Sequence, residues 1–344
     1  MAIINDLGKI IFFLFLLLSV FLITAKSKRK LPDYLFAAFL LISVIDFSSF
    51  FIVLPDLKIV RGGKLASVLL QMPLYFLYVN SACYYNFKLR KKHLLHLFPF
   101  LFFFCWFSIK GISKQGHKAF DITSIIQYYF YIVAVFLVLR TFRRLYRENY
   151  SSNHHLTYKW LMQTTVLFLI GNFVVLTRGF VEENSIAYNY LYTFTSFFVL
   201  FVITWFVLNA LYRPNLFAGI NKDLVPVKSA DEKEKPEEVH KLLQFMENEK
   251  PYLDDKLTLQ KLAGQINLPE KQLSLLINQH IGKHFFDFIN EFRINDAKIL
   301  LKEKSQLTVS EILYEVGFNS KSSFYTAFKK ETDLTPTEYR KSTT

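Results

Sequence analysis

The apolar residues of this chain are unevenly placed, and that placement limits what it can fold into more than any other feature. They gather before about Tyr212 in runs long enough to cross a bilayer, and beyond that point the sequence has ordinary globular composition. A hydrocarbon core of about 30 Å is spanned by about 20 consecutive apolar residues in a helix. Seven stretches fit: 5–25, 33–54, 65–86, 94–109, 121–141, 160–180 and 187–211, the fourth being the shortest. The loops between them leave no room for a large soluble insertion. A chain of 344 residues has space for such a bundle and a further domain.

The formal net charge of +13 invites a nucleic-acid reading, but its distribution removes that reading. Residues 1–212 hold 21 Lys and Arg against 8 Asp and Glu, whereas residues 240–344 hold 15 against 14. The basic excess belongs to the apolar part, where it reports topology. Loops one (Lys26, Lys28, Arg29, Lys30), three (Lys88, Arg90, Lys91, Lys92) and five (Arg140, Arg143, Arg144, Arg147, Lys159) carry 13 basic residues. The opposite side carries eight: Lys9, Lys58, Arg61, Lys64, Lys110, Lys114, Lys118 and Arg178. Basic loops stay cytoplasmic, so seven spans put the amino terminus outside and the carboxy terminus inside. The first apolar run has one early Lys9, no small-x-small cleavage site and a basic cluster after it. That order fits a retained helix and not a cleaved signal peptide.

Residues 213–236 form a linker, with Pro214 and Pro226 as helix breakers and the solvated mixed-charge run DEKEKPEE. The segment LTLQKLAGQINLPEKQLSLLINQHIG then contains two short helical patterns. Thr258 can cap the first, and Leu259, Leu262, Ala263 and Ile266 give it one apolar face. Asn267 suits a left-handed turn, and Pro269 suits the first turn of the next helix, buried through Leu273, Leu276 and Ile277. Two such helices joined by a tight turn make a helix-turn-helix. A second unit, LTVSEILYEVGFNSKSSFYTAFKK, opens with a Thr308/Glu311 capping box. It turns at Gly317, is capped again by Ser320, and packs inward through Phe324 and Phe328. Between the units, HFFDFINEFRINDAKILLKEK has the pattern of one long spacer helix.

Residues 240–342, through FINEFRINDAKILL, VGFNSKSSFYTAFKK and LTPTEYR in that order and spacing, resemble the DNA-binding domain of the AraC/XylS family of bacterial transcription regulators. The resemblance implies two recognition helices entering successive major-groove faces on one side of double-stranded promoter DNA. Carried over position by position, it implies that the first presents Lys271, Gln272, Ser274 and Asn278. The second would present Lys321, Ser322, Ser323 and Thr326, with Lys329 and Lys330 on phosphates. Gln can read adenine, Lys can reach guanine or phosphate, and phosphate contacts position without specifying. The chain departs from the family at Asn267 and Asp333, where Gly is usual, and at Pro269, where Ser or Thr is usual. It departs also at Leu275 and Thr326, where base-reading Arg is common.

Ionisable and amide groups within spans are costly and mark functional positions. Asp46, Gln71, Gln127 and Arg178 fall in the outer half of the expected bundle and are candidate ligand contacts, with Asp46 and Arg178 as a candidate polar pair. The competing explanation is helix packing by hydrogen bonds. Cys83 and Cys105 lie in apolar runs with neither disulfide nor metal-ligand spacing. His280 and His284 lack a nearby carboxylate or cysteine at ligand spacing, and the spans hold no Ser/His/Asp or Cys/His constellation. No enzyme, metal or cofactor is expected.

The expectation is an all-α chain: a seven-helix transmembrane bundle (1–212), a linker (213–236) and a cytoplasmic all-α domain with two helix-turn-helix units (237–344). It is a multi-pass protein of the bacterial inner membrane that regulates transcription, with RNA polymerase and a second copy as further partners. The bundle either receives a small-molecule or envelope signal, which the linker and the helix HKLLQFMENE couple to DNA, or simply holds the protein as a passive tether. The alternative is a membrane transporter carrying a regulatory DNA-binding tail.

Overall fold

Uninterrupted apolar sequence leaves backbone amides no partner in a lipid environment except one another, and helices follow. The computed structural model describes residues 2–25, 29–48, 51–52, 55–151, 155–182, 185–212, 236–304 and 306–343. The expected linker lies outside them except for Pro236, which opens a helix, and Lys26, Lys28 and His154 lie outside as well. The described residues form helices and no strand, apart from one isolated antiparallel bridge between Tyr150 and Thr258. By backbone proximity the chain divides into two units, Met1–Arg140 with Leu156–Lys222, and Thr141–His155 with Asp223–Thr344.

The first unit contains α1 (Ala2–Thr24), α2 (Lys30–Phe47), α3 (Lys58–Ser67), α4 (Gln71–Cys83), α5 (Phe98–Lys110), α7 (His155–Arg178), α8 (Ile186–Tyr212) and most of α6 (Lys114–Asn149). A short 3-10 turn, Val68–Leu70, joins α3 to α4, so Lys58–Cys83 forms one long apolar rod. Pro99 opens α5 where a missing amide costs nothing, and Gly111, at φ +75°, closes it. Helix α1 packs on α2 and α8, α2 on α4, and α3 on α5. Gly62 lets α3 meet α5 closely, since a Cβ there would lie 2.7 Å from the Cβ of Phe107.

Polar groups also tie these helices to one another. The Tyr75 hydroxyl bonds Thr164 and Thr165 at 2.8 Å each. Tyr128 donates to the Phe168 carbonyl at 2.7 Å, and Trp160 donates to the Tyr78 hydroxyl at 3.2 Å. Arg29, expected only as part of a basic loop, also caps α4. Its guanidinium donates to the carbonyls of Ser81, Ala82 and Tyr84, the last at 2.9 Å, where orphan acceptors and the negative end of the helix dipole lie.

Among the described residues, six helical stretches are long and apolar enough to cross a membrane: Asn5–Thr24, Lys58–Cys83, Lys91–Lys110, Lys114–Asn149, Thr157–Arg178 and Ile186–Asn209. The second expected span is not among them. Helix α2 stops at Phe47 and carries Lys30, Asp33 and Asp46 within 18 residues. Its length of about 27 Å still approaches that of a hydrocarbon core.

Helix α6 has 36 residues, or about 54 Å, well beyond a bilayer core, and its last turns from Thr141 belong to the second unit. That unit contains α9 (Pro236–Glu249), α10 (Leu259–Gln265), α11 (Glu270–Leu275), α12 (Phe285–Glu303), α13 (Val309–Glu315), α14 (Lys321–Thr332) and α15 (Pro336–Thr343). Two cores share the single helix α12. Phe285, Phe288 and Ile289 pack with Leu262, Leu273 and Ile277, whereas Ile294, Ala297 and Leu301 pack with Ile312, Phe324 and Phe328. Each such fully buried Leu, Ile or Phe side chain contributes about 1.5–3 kcal/mol.

Candidate functional site

The two helix-turn-helix units are built by local chemistry. Thr258 accepts from the Lys261 amide and starts α10. Asn267 takes the left-handed turn at φ +55°. Pro269 stands one place before the expected first turn, in extended conformation, and α11 begins at Glu270 and continues as a wider turn through His280. In the second unit Thr308 and Glu311 form a reciprocal capping box, and Ser320 accepts from the Ser323 amide to start α14. The hydrogen bonds of the capping box hold the Glu311 carboxyl below its ordinary range.

The expected DNA-contacting residues divide by environment. Lys271, Lys321, Ser322, Thr326 and Lys329 are exposed. The Lys321 ammonium sits 5.5 Å from the ring centre of half-buried Tyr325, which sequence reasoning did not single out. Thr326 returns its hydroxyl hydrogen to the Ser322 carbonyl at 2.8 Å. Gln272 is half-buried and donates to Glu238 of α9 at 3.0 Å. Its amide reaches a base only by leaving that carboxylate. Ser274 and Ser323 are 6% and 4% exposed. Ser274 accepts from Asn278 one turn further along α11 and its continuation, and Ser323 bonds Ser320 at the start of α14. Leu275 is buried, which explains why this position tolerates an apolar side chain.

Lys330 is engaged with Asp287 of α12 at 2.8 Å. The same carboxylate receives Arg147, from the end of α6. Burial alone would raise the Asp287 carboxyl, but hydrogen bonds from Lys330 and Arg147 hold it below the usual carboxylate range. A depressed folded pKa contributes stability above the unfolded value, and the contribution is lost as pH falls through the folded value. Acidification below the usual carboxylate range is therefore expected to loosen Arg147 and Lys330 together. Hydrogen exchange of the 141–151 amides should rise there in the wild type, and Asp287→Asn should show the raised exchange already at neutral pH.

Beside that pair, the Ser151 amide and hydroxyl both donate to the Leu257 carbonyl, the hydroxyl at 2.6 Å. Arg293, 1% exposed at the middle of α12, donates to the carbonyls of Ser151 (3.0 Å), Tyr252 (2.7 Å) and Asp254 (2.8 Å). Its guanidinium lies 5.5 Å from the ring centre of Phe318. Burial lowers its pKa to about 10, against the pull of Asp255 and Asp254, so it stays charged at neutral pH. Segment 141–151 is thus an integral part of the helix-turn-helix unit. The sequence of loop five gave no sign of this, because Asp287, the partner of Arg147, lies 140 residues away.

In the first unit a cavity of about 220 Å³ is lined by residues of α1, α2, α4, α6, α7 and α8. Asp46 and Gln71 line it, with Tyr128 and Asn172. Gln127 and Arg178 do not. Gln127 donates to the Leu69 carbonyl at 3.0 Å, and Arg178 lies 4.7 Å from the Tyr192 ring centre and 5.7 Å from that of Tyr188. The four expected contacts therefore separate into two that meet at one space and two that hold helices or rings.

Residues 262–342 match the family model of a helix-turn-helix domain, and this domain is of the AraC type. Over 88 residues the chain is 31% identical to the HTH-type transcriptional regulator MtrA of Neisseria gonorrhoeae, which covers 26% of this chain and 29% of that protein. Over 87 residues it is 34% identical to the HTH-type transcriptional regulator GlxA of Rhizobium meliloti, covering 25% and 26% of the two chains. The solved C-terminal domain of the two-component response regulator yesN from Fusobacterium nucleatum is 31% identical, with a TM-score of 0.28 over 30% of this chain and 98% of that one. The chain spans less than a third of the length of these two curated relatives.

Proposed function

We propose that this protein is a membrane-embedded transcription regulator whose second unit binds promoter DNA through α11 and α14. The observation that carries this reading is the pair of helix-turn-helix cores joined by one 19-residue helix, α12, within the stretch that matches the AraC-type domain. Each recognition helix carries an exposed lysine in its first turn, Lys271 or Lys321, placed to meet phosphate or guanine. The unit's near-zero net charge makes these positions, and not bulk attraction, the source of affinity.

The apolar helices support an inner-membrane location, and the bias of basic loops supports a cytoplasmic second unit. This topology takes α2 as a seventh crossing. A conformational change in the bundle, read by the DNA-binding unit, is the sensing step, with RNA polymerase and a second copy of the chain as partners on DNA.

The test is DNA binding by the full-length protein in lipid nanodiscs, to duplexes selected from a random library. Lys271→Ala with Lys321→Ala should weaken binding and lower the salt slope by about 2, since each neutralised phosphate contributes about 0.9. An unchanged slope with unchanged sequence preference would remove the recognition-helix assignment.

A further inference from the structure

The cavity of the first unit combines aromatic walls with polar groups. Phe39, Phe168 and Phe198 are among its walls, and Asp46, Gln71 and Asn172 bring the polar atoms. An ionised carboxylate only accepts, and a carboxamide oxygen only accepts. The Asn172 carboxamide oxygen is buried without a hydrogen-bond partner. The Gln71 side chain has none among the described residues, whereas Tyr128, Ser43 and Thr195 spend their hydroxyl hydrogens on backbone carbonyls. Lys64 also acts on Asp46, but it does not line the cavity. The Asp46 carboxylate, whatever else it accepts, and the unpartnered Asn172 oxygen therefore bring acceptors to a space walled by rings.

Size narrows the ligand further. At about 220 Å³ the cavity exceeds the roughly 150 Å³ that takes one benzene ring and falls below the roughly 300–1,000 Å³ of drug-sized sites. One aromatic ring with a short arm fits that interval. A primary ammonium on the arm supplies three donors and a positive charge. That group answers the carboxylate by a charge-assisted bond and is attracted to ring faces. We propose that this cavity is a binding site for a small arylalkyl primary amine, with Asp46 holding the ammonium, Asn172 accepting a second hydrogen bond and the phenylalanines enclosing the ring. Its role as the signal site rests on the regulator reading above; its chemistry as an amine site does not.

The test uses the full-length protein in lipid nanodiscs, with 2-phenylethylammonium as the probe and equilibrium dialysis as the readout. Saturable binding is expected, at least about tenfold weaker for neutral 2-phenylethanol and absent for anionic 3-phenylpropanoate. Asp46→Asn should weaken the amine by about tenfold or more, and Asp46→Glu should recover part of the loss. Gly171→Phe fills the space from α7, where a Cβ already meets the Phe198 ring at 3.1 Å, and should abolish binding. No saturable binding of the amine, equal binding of the carboxylate, or full affinity in Asp46→Asn would each overturn the proposal. DNA binding measured on the same samples separates the two readings. Amine binding lost in a wild type that still binds DNA overturns the amine site alone. Amine binding kept in a wild type that binds no DNA overturns the regulator reading alone.

Discussion

Replacing Arg293 by Ala is expected to destabilise the DNA-binding unit by about 3–5 kcal/mol, the low end of the sum for three backbone acceptors that lose a donor. The side chain sits where α12 passes from one helix-turn-helix core to the other. It satisfies carbonyls from Ser151, Tyr252 and Asp254 and covers the ring of Phe318. Its loss leaves three acceptors short of a donor, each costing about 1–3 kcal/mol where water cannot replace it. The readout is hydrogen exchange of α12 amides in the full-length protein, expected to accelerate by about two to three orders of magnitude. Arg293→Lys should recover little, because an ammonium cannot present the planar fork that reaches three carbonyls. Exchange unchanged in both variants would show that the network is not what joins the cores.

Gly317→Ala is the second large effect. At φ +86° the residue is left-handed, which costs a side-chain residue about 1–2 kcal/mol. A Cβ there would also lie 2.5 Å from the Tyr252 carbonyl oxygen and 2.8 Å from that of Leu253. These are backbone atoms that cannot swing aside, so the strain of overpacking, about 1–3 kcal/mol, adds to the conformational cost. Gly282 provides the control, since it has φ +74° and a Cβ added there would meet nothing within 4 Å. Gly282→Ala should show the conformational cost alone, and the difference between the two variants measures the close approach. Equal effects on denaturation of the second unit would refute the role of Tyr252 and Leu253.

Both effects bear on how the DNA-binding part is defined. A fragment beginning at residue 237 removes Ser151 from Arg293 and Arg147 from Asp287. Coupling expected through the linker and the first tail helix has a second covalent route. The end of α6 and Ser151 are hydrogen-bonded into the unit that carries both recognition helices. Lys330, near the end of the second recognition helix, shares Asp287 with Arg147.

Sequence alone determined the features that arise within about four residues. Thr258, Thr308 with Glu311, and Ser320 cap helices as their spacing implied, and Asn267, Gly317 and Asp333 take left-handed turns. Such groups meet whenever a helix starts or stops, whatever surrounds them. The apolar runs likewise produced long helices, because their backbones bond internally. Tertiary structure decided which polar side chains face a partner. Ser274 and Ser323 turn inward, Gln272 is held by Glu238, and Arg178 rests on tyrosine rings while Asp46 and Gln71 meet Asn172 at a cavity. It also decided that Thr141–His155 belongs with the tail. These outcomes depend on the rotation and register of helices far apart in the chain, and a helical period in one segment carries no information about the segment it will meet.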